Sequence, residues 1–250
     1  MRYFHGVTFF NELDLLKILC EEIKDLDYTL VLVEATHTHT GDPKELIFDQ
    51  NKHLFSHYNI RHIIVEDLPN NGDAWTNENS QRDCILRGLT DCNDDDLVFI
   101  GDLDEIPRKQ AIQYYDPRMG TAGLCMDKYS VYINLLEGIQ NWSIAKITTW
   151  GILKTTTPNK LRNSGPNFII NYAGWHISFL GGIEKMKEKL FAYAHTESVT
   201  AKLLDNLEYK YATGQSLWGS DHWVFVKIDK TFPAYLQYHQ KEFNHLIREV

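Results

Sequence analysis

The sequence predicts an α/β protein: a Rossmann-like, mostly parallel sheet with flanking helices. Three observations carry that expectation. Residues 28–35 and 97–100 are apolar on both faces, the pattern of strands covered on both sides. A helical period of Leu13, Leu16, Ile23 and Leu26 lies between the strand-like residues 6–10 and 28–35. A strand–helix–strand unit with buried strands implies a parallel pair and a right-handed crossover. Finally, Leu97-Val98-Phe99-Ile100 runs into Gly101-Asp102-Leu103-Asp104-Glu105-Ile106-Pro107. That run places acids at the carboxyl end of a buried strand, where open α/β sheets bind ligands.

In chain order, residues 6–10 form the first strand. Asn11 reads as the N-cap of the next helix, with Glu12 and Asp14 in the first turn, where acids complement the dipole. After the second strand, Thr36-His37-Thr38-His39-Thr40-Gly41-Asp42-Pro43 reads as a surface loop in which the histidines are incidental, like His53, His57 and His62. Residues 60–68 are a third strand. Residues 77–90 are a helix carrying Gln81, Arg82 and Arg87, with Ile85, Leu86 and Leu89 toward the core. The second half is less regular. Residues 122–136 alternate like a strand, 142–154 hold a strand pair, and 168–179 are apolar around Gly174-Trp175-His176. Gly181-Gly182 precedes a helix over 184–194, closed by His195; another helix spans 200–211, and the tail after Phe232 is irregular. No repeat, low-complexity segment or linker interrupts the chain. The expectation is therefore one domain, 1–250, with a nucleotide-binding half, 1–107, and an acceptor half, 108–250.

With 250 residues, 43% of them hydrophobic, the chain is long enough to bury a substantial core. A formal charge of −9 argues against a nucleic-acid partner, which demands a basic face. Cys20, Cys84, Cys92 and Cys125 show no CxxC spacing, so neither a disulfide framework nor a zinc site is expected. No apolar run reaches membrane-span length, and Met1-Arg2-Tyr3-Phe4-His5 carries no apolar signal region. The expected setting is cytoplasmic and reducing.

Asp102 and Asp104 are two apart, so on an extended segment both carboxylates point to one side and repel. A cation between them relieves that, and hard oxygen ligands suit Mg2+ or Mn2+, which keep positions open for phosphate oxygens. An acidic protein that binds a nucleotide diphosphate needs such a bridge. The bland alternative is a solvated turn or helix cap, which is the reading of Asp94, Asp95 and Asp96. Glu34, at the end of the second strand, is placed to accept from a base or ribose. Trp150, Trp175 and Trp218 are candidates to stack on sugar rings, against the commoner role of packing.

Several motifs follow in order: Phe9-Phe10-Asn11-Glu12-Leu13-Asp14-Leu15-Leu16, Val33-Glu34-Ala35-Thr36-His37-Thr38-His39-Thr40-Gly41, Asn51-Lys52, Gln81-Arg82 with Arg87-Gly88-Leu89, the acidic stretch, and Gly174-Trp175-His176 with His195 and Glu197. Jointly they resemble glycosyltransferase family 17, which includes N-acetylglucosaminyltransferases acting on glycoprotein glycans. The resemblance runs from about Phe9 to about Asp221. It implies a GT-A type fold, a UDP-sugar donor (UDP-GlcNAc by family analogy), a glycan acceptor, Mn2+ or Mg2+, and inversion at the anomeric carbon. On that reading Asp102 and Asp104 hold the metal, with His176 or His195 as a further ligand. Asn11, Glu34, Thr36, Gln81, Arg82 and Asp102 line the nucleotide, and Glu184, with Asp221 as the second choice, takes the acceptor proton.

The competing classes are a metal-dependent sugar-nucleotide hydrolase or a nucleotidyltransferase, which share acid pairs at strand ends. The latter usually carries a Gly-rich basic loop after the first strand, and Phe9-Phe10-Asn11-Glu12 is not one. A carbohydrate-binding module has little need of a parallel nucleotide-binding half.

Overall fold

The structure is a computed structural model describing residues 1–250. The first half alternates strands and helices: β1 (Tyr3–Phe9), α1 (Leu13–Ile23), β2 (Tyr28–Ala35), α2 (Ile47–Asn51), β3 (Ile60–Val65), α3 (Ala74–Asp83) and β4 (Leu97–Asp102). A tight turn leads to β5 (Glu105–Pro107) and α4 (Lys109–Tyr114). Then come β6 (Ala122–Ser130), β7 (Leu135–Trp142), β8 (Lys146–Thr149), α5 (Trp150–Leu153), α6 (Pro158–Asn163) and β9 (Phe168–Ser178). The chain closes with α7 (Gly182–Ala192), α8 (Ala201–Asp205), α9 (Leu207–Thr213), β10 (Val224–Phe225) and α10 (Ala234–Tyr238).

All ten strands join one sheet of order β10-β7-β6-β8-β4-β1-β2-β3, with β9 paired to both β5 and β6. Strands β4, β1, β2 and β3 are parallel neighbours, as their apolar faces predict. Parallel pairing recurs at β6–β9, while β8 joins β4 antiparallel. The class is thus the expected mixed α/β fold, with its parallel part concentrated in the first half.

Period-two alternation explains the core. In β2, Leu30 and Leu32 face a 35-residue cluster with α1, whereas Val31, Val33 and Ala35 face a 13-residue cluster on the other side with Ile85 and Leu89. Strand β4 divides in the same way, Leu97 and Phe99 to one cluster and Val98 and Ile100 to the other. A third cluster packs α7 and α9 on Val131 and Leu135. No helix is long and apolar enough to cross a membrane.

Several local expectations are corrected. Asn11 does not cap α1; the N-cap is Glu12, whose Oε2 accepts from the Phe10 and Asn11 backbone N–H groups, each at 3.1 Å. Helix α3 starts at Ala74, three residues earlier than expected, because Asp73 caps it by accepting from the Trp75 N–H at 3.2 Å. Residues 142–154 give one new strand and a helix rather than a strand pair, and 200–211 breaks into two helices at Asn206. The tail carries α10 and packs Phe232, Leu236 and Phe243 into the main cluster.

Strands β1, β2 and β3 run to one side of the parallel array and β4 returns to the other side of β1. This reversal is a topological switch point, and the crevice at its carboxyl end is where doubly wound sheets take ligands.

Candidate active site

A cavity of about 830 Å3 opens at that crevice. Its floor is the turn between β4 and β5. Register pairs Thr8 with Asp102, and the Thr8 hydroxyl donates to Asp102 Oδ1 at 2.8 Å, closing the two strand ends together. Arg82, from α3, donates to the same Oδ1 at 2.9 Å, and Arg162, from α6, to Oδ2 at 2.7 Å. Arg162 also holds Glu105 through two bonds, of 2.5 and 3.0 Å, and Glu105 Oε2 accepts from the Asp102 backbone N–H at 2.9 Å. Burial alone would raise the Asp102 carboxyl, but Arg162 and then Arg82 outweigh it and hold the group well below the usual carboxylate range.

Leu103 and Asp104 form a turn, not an extended segment, so the two aspartates belong to different sets of partners. Asp104 Oδ2 accepts from the Ser178 hydroxyl at 2.8 Å and the Lys189 ammonium at 2.9 Å. Its Oδ1 accepts no hydrogen bond and lies 3.7 Å from His176 Nε2. That neighbour is fixed by register: β5 pairs with β9 so that Glu105 faces His176. The His176 ring stacks on Trp142 at 4.2 Å, and burial holds it below the usual histidine range. Burial would lower Lys189, but Asp104 and then Glu12 outweigh it and keep the lysine charged.

Asp104 Oδ1 and His176 Nε2 are the two groups here that would hold a divalent cation. Asp102 does not fit that role, since both its oxygens are engaged by Arg82, Arg162 and Thr8. Nor does His195 join the set. It reaches the cavity at the rim, paired with Glu197 at 2.9 Å and edge-on to Trp75 at 4.3 Å. No three His, Cys, Asp or Glu side chains converge at metal-holding spacing.

Of the residues expected at the nucleotide, Gln81, Arg82 and Asp102 line the cavity. Glu34 does not. It is fully buried beneath α2, where Oε1 accepts from the Phe48 N–H at 3.0 Å and Oε2 lies 3.0 Å from His62 Nε2. A strand-end carboxylate is here consumed by the fold. Thr36 ties β2 to β3 through the Val65 carbonyl at 3.3 Å, and Asn11 lines a smaller neighbouring cavity, donating to Glu188 at 3.0 Å. Glu184 points to solvent, its side chain 87% exposed beside Lys187, and Asp221 lies on an exposed loop. Neither lines the cavity, so neither stands as the base there. Trp175 is core: its Nε1 donates to the Thr231 carbonyl at 2.9 Å under the Arg108 guanidinium. Trp150 packs on the second cluster, and Trp218 alone of the three candidates reaches the cavity.

Sequence reasoning placed Gln81 and Arg82 at the site but missed the rest of their wall. Trp75 and Glu78 share that face of α3 with them, and Trp75, Glu78 and Arg82 stand at the i, i+3, i+7 spacing that could have revealed it. His39 belongs there too, not to an incidental surface loop. Gln81 donates from Nε2 to the Val33 carbonyl at 3.0 Å, so its Oε1 receives the His39 Nε2–H at 2.9 Å. His39 Nδ1 is then a buried lone pair without a partner, 3.7 Å from Glu78 Oε2. Glu78 Oε1 is held by Arg82 at 2.9 Å, and Oε2 accepts no hydrogen bond.

Comparison with curated proteins finds no match. The family model described as glycosyltransferase family 17 matches residues 1–217, most of the chain. The chain therefore belongs to glycosyltransferase family 17, a family of transferases that take a sugar donor and an acceptor.

Proposed function

We propose that the chain transfers a sugar, N-acetylglucosamine by family analogy, from a UDP-sugar to a glycan hydroxyl, with Mn2+ or Mg2+ and with inversion. The observation that supports this reading most is the floor of the cavity. Arg82, Arg162 and Lys189 converge on the turn between β4 and β5, in a chain whose net charge is −9. Each is held in place by carboxylates, so its N–H groups are fixed donors at the crevice where a diphosphate and a bridging cation would sit.

On this reading the nucleoside lies against the carboxyl ends of β1 and β2, and the diphosphate over Asp104, His176 and Lys189. Asp104 and His176 would hold the divalent ion, which when bound would supply Lewis-acid stabilisation to a leaving diphosphate. Lys189 and Arg82, fixed by ion pairs before substrate arrives, offer further donors to that developing charge without reorganising. Glu78 is the cavity carboxylate with an oxygen that is neither hydrogen-bonded nor beside the cation donors. We assign the acceptor proton to it: Glu78 Oε2 takes the proton and can pass it in a hydrogen bond to the waiting His39 Nδ1 lone pair.

The test is UDP titration calorimetry with and without Mn2+. Asp104→Asn and His176→Ala are each expected to remove the Mn2+-dependent part of the affinity while Glu184→Gln keeps it. Equal UDP affinity with and without Mn2+ in the wild type would sink the metal assignment. Release of UDP from UDP-GlcNAc at the same rate with and without acceptor would favour hydrolysis over transfer.

A further inference from the structure

The rim of the cavity is an unbroken arc of aromatic rings. Trp75 meets His195 at 4.3 Å, His195 meets Tyr193 at 5.7 Å, Tyr193 meets Phe179 at 6.0 Å, and Phe179 meets Trp218 at 5.9 Å between centroids. All five side chains line the cavity. His195, its side chain 54% exposed, is open to solvent, and so are the two ends, Trp75 at 38% and Trp218 at 47%. They come from elements far apart in sequence, the first turn of α3 and the loop after α9.

Both ends are held in place. Trp75 sits in a helix turn whose cap, Asp73, accepts its own N–H at 3.2 Å. Trp218 is carried on a loop pinned from both sides by one lysine. Lys210 Nζ donates to the Ser216 carbonyl at 2.6 Å and the Gly219 carbonyl at 2.8 Å. The middle of the arc is strained: Phe179 is a bulky residue at φ +58, a left-handed conformation that persists where surrounding structure enforces it. Rigid, half-exposed tryptophans present a flat apolar face at little entropic cost on binding. The C–H face of a pyranose is the complementary surface.

We infer that the acceptor is an oligosaccharide held at two stacking subsites, one on Trp75 and one on Trp218, with the reacting hydroxyl lowered between them toward Glu78. The inference rests on the transferase reading above and deepens it. The arc is too long for one ring: its ends are separated by three intervening rings and four centroid-to-centroid steps of 4.3 to 6.0 Å. Glu78 stands one turn below Trp75 on the same helix face, so a sugar stacked on Trp75 directs its neighbour into the cavity. Trp218 lies one residue beyond the segment matched by the family model, so membership in the family does not itself assign this subsite.

Saturation-transfer NMR tests it with two named series, N,N′-diacetylchitobiose to chitopentaose and mannobiose to mannopentaose, each against its monosaccharide. In at least one series wild-type affinity is expected to rise about tenfold from monosaccharide to trisaccharide. Trp75→Ala and Trp218→Ala are each expected to abolish that rise, and Trp218→Phe to keep most of it. Lys210→Met, which frees the loop without touching the ring, should flatten the rise partly. UDP binding with Mn2+, measured on the same samples, should stay within twofold of wild type in Trp218→Ala. Absence of length dependence in both series, or its survival in both alanine variants, overturns the proposal. Loss of UDP binding by the wild type overturns the donor reading instead, so the two failures are distinct.

Discussion

Replacing Arg162 with Met isolates the ion cluster beneath the cavity. The guanidinium is 6% exposed and satisfies Glu105, which is fully buried, and the Oδ2 of Asp102. Its loss leaves Glu105 with the Asp102 N–H and the Trp142 indole N–H as neutral donors, and the Asp102 oxygen with none. Removing one member of a buried pair destabilises by about 3–5 kcal/mol. For a protein of this length that corresponds to a fall in Tm of roughly 10 °C. Urea denaturation followed by tryptophan fluorescence should show a lower midpoint with an unchanged slope. The pH dependence has a definite sign. The Asp102 carboxyl is held well below its unfolded value of about 4, by Arg162 first and Arg82 second against the opposing effect of burial. Its contribution to wild-type stability is therefore complete above about pH 4 and is lost only as pH falls through the lower folded value. The variant loses the Arg162 part of that depression and keeps the Arg82 part, so its deficit should be full at pH 7 and should narrow as pH drops below about 4. A loss under about 1 kcal/mol at pH 7, the size typical of an exposed pair, would refute the description of this cluster as a buried support.

Further outcomes follow from the same geometry. Glu78→Gln should lower kcat by about 100-fold or more with UDP affinity unchanged, whereas Glu184→Gln and Asp221→Asn should leave kcat within twofold; steady-state rates with UDP-GlcNAc and a glycan acceptor decide between the three carboxylates. Gly174→Ala would set a Cβ 2.1 Å from the Ile106 carbonyl oxygen and 2.8 Å from Pro107 Cα. It should destabilise by about 2–3 kcal/mol in urea and weaken Mn2+-dependent UDP binding, because the same ladder fixes His176.

The parallel half was readable because its signals are local. Strand β2 was predicted over its full length, since Leu30, Leu32, Val31 and Val33 declare two covered faces. Asp102, Asp104 and Arg82 were readable because a strand end and the preceding helix define the crevice. Arg162 and Lys189 were not, since they lie 60 and 85 residues from the aspartates they balance. Nothing in a charge's immediate surroundings states which distant carboxylate it will meet. Glu34 shows the converse error. Its position at a strand end was right, but α2 docks across it and takes the carboxylate for the Phe48 amide. His39 was hidden by its polar neighbours, although Gln81 makes it a fixed part of the wall.

The three-residue ladder between β5 and β9 has a consequence for how the protein comes into being on the ribosome. A nascent chain that has emerged only as far as Pro107 exposes Asp102, Asp104 and Glu105 as crowded like charges, with Arg82 as their one local counterweight. Arg162 arrives later, and Ser178 and Lys189 later still. The N-terminal half is thus electrostatically unfinished during synthesis, and the crevice matures only when the last third of the polypeptide has been delivered.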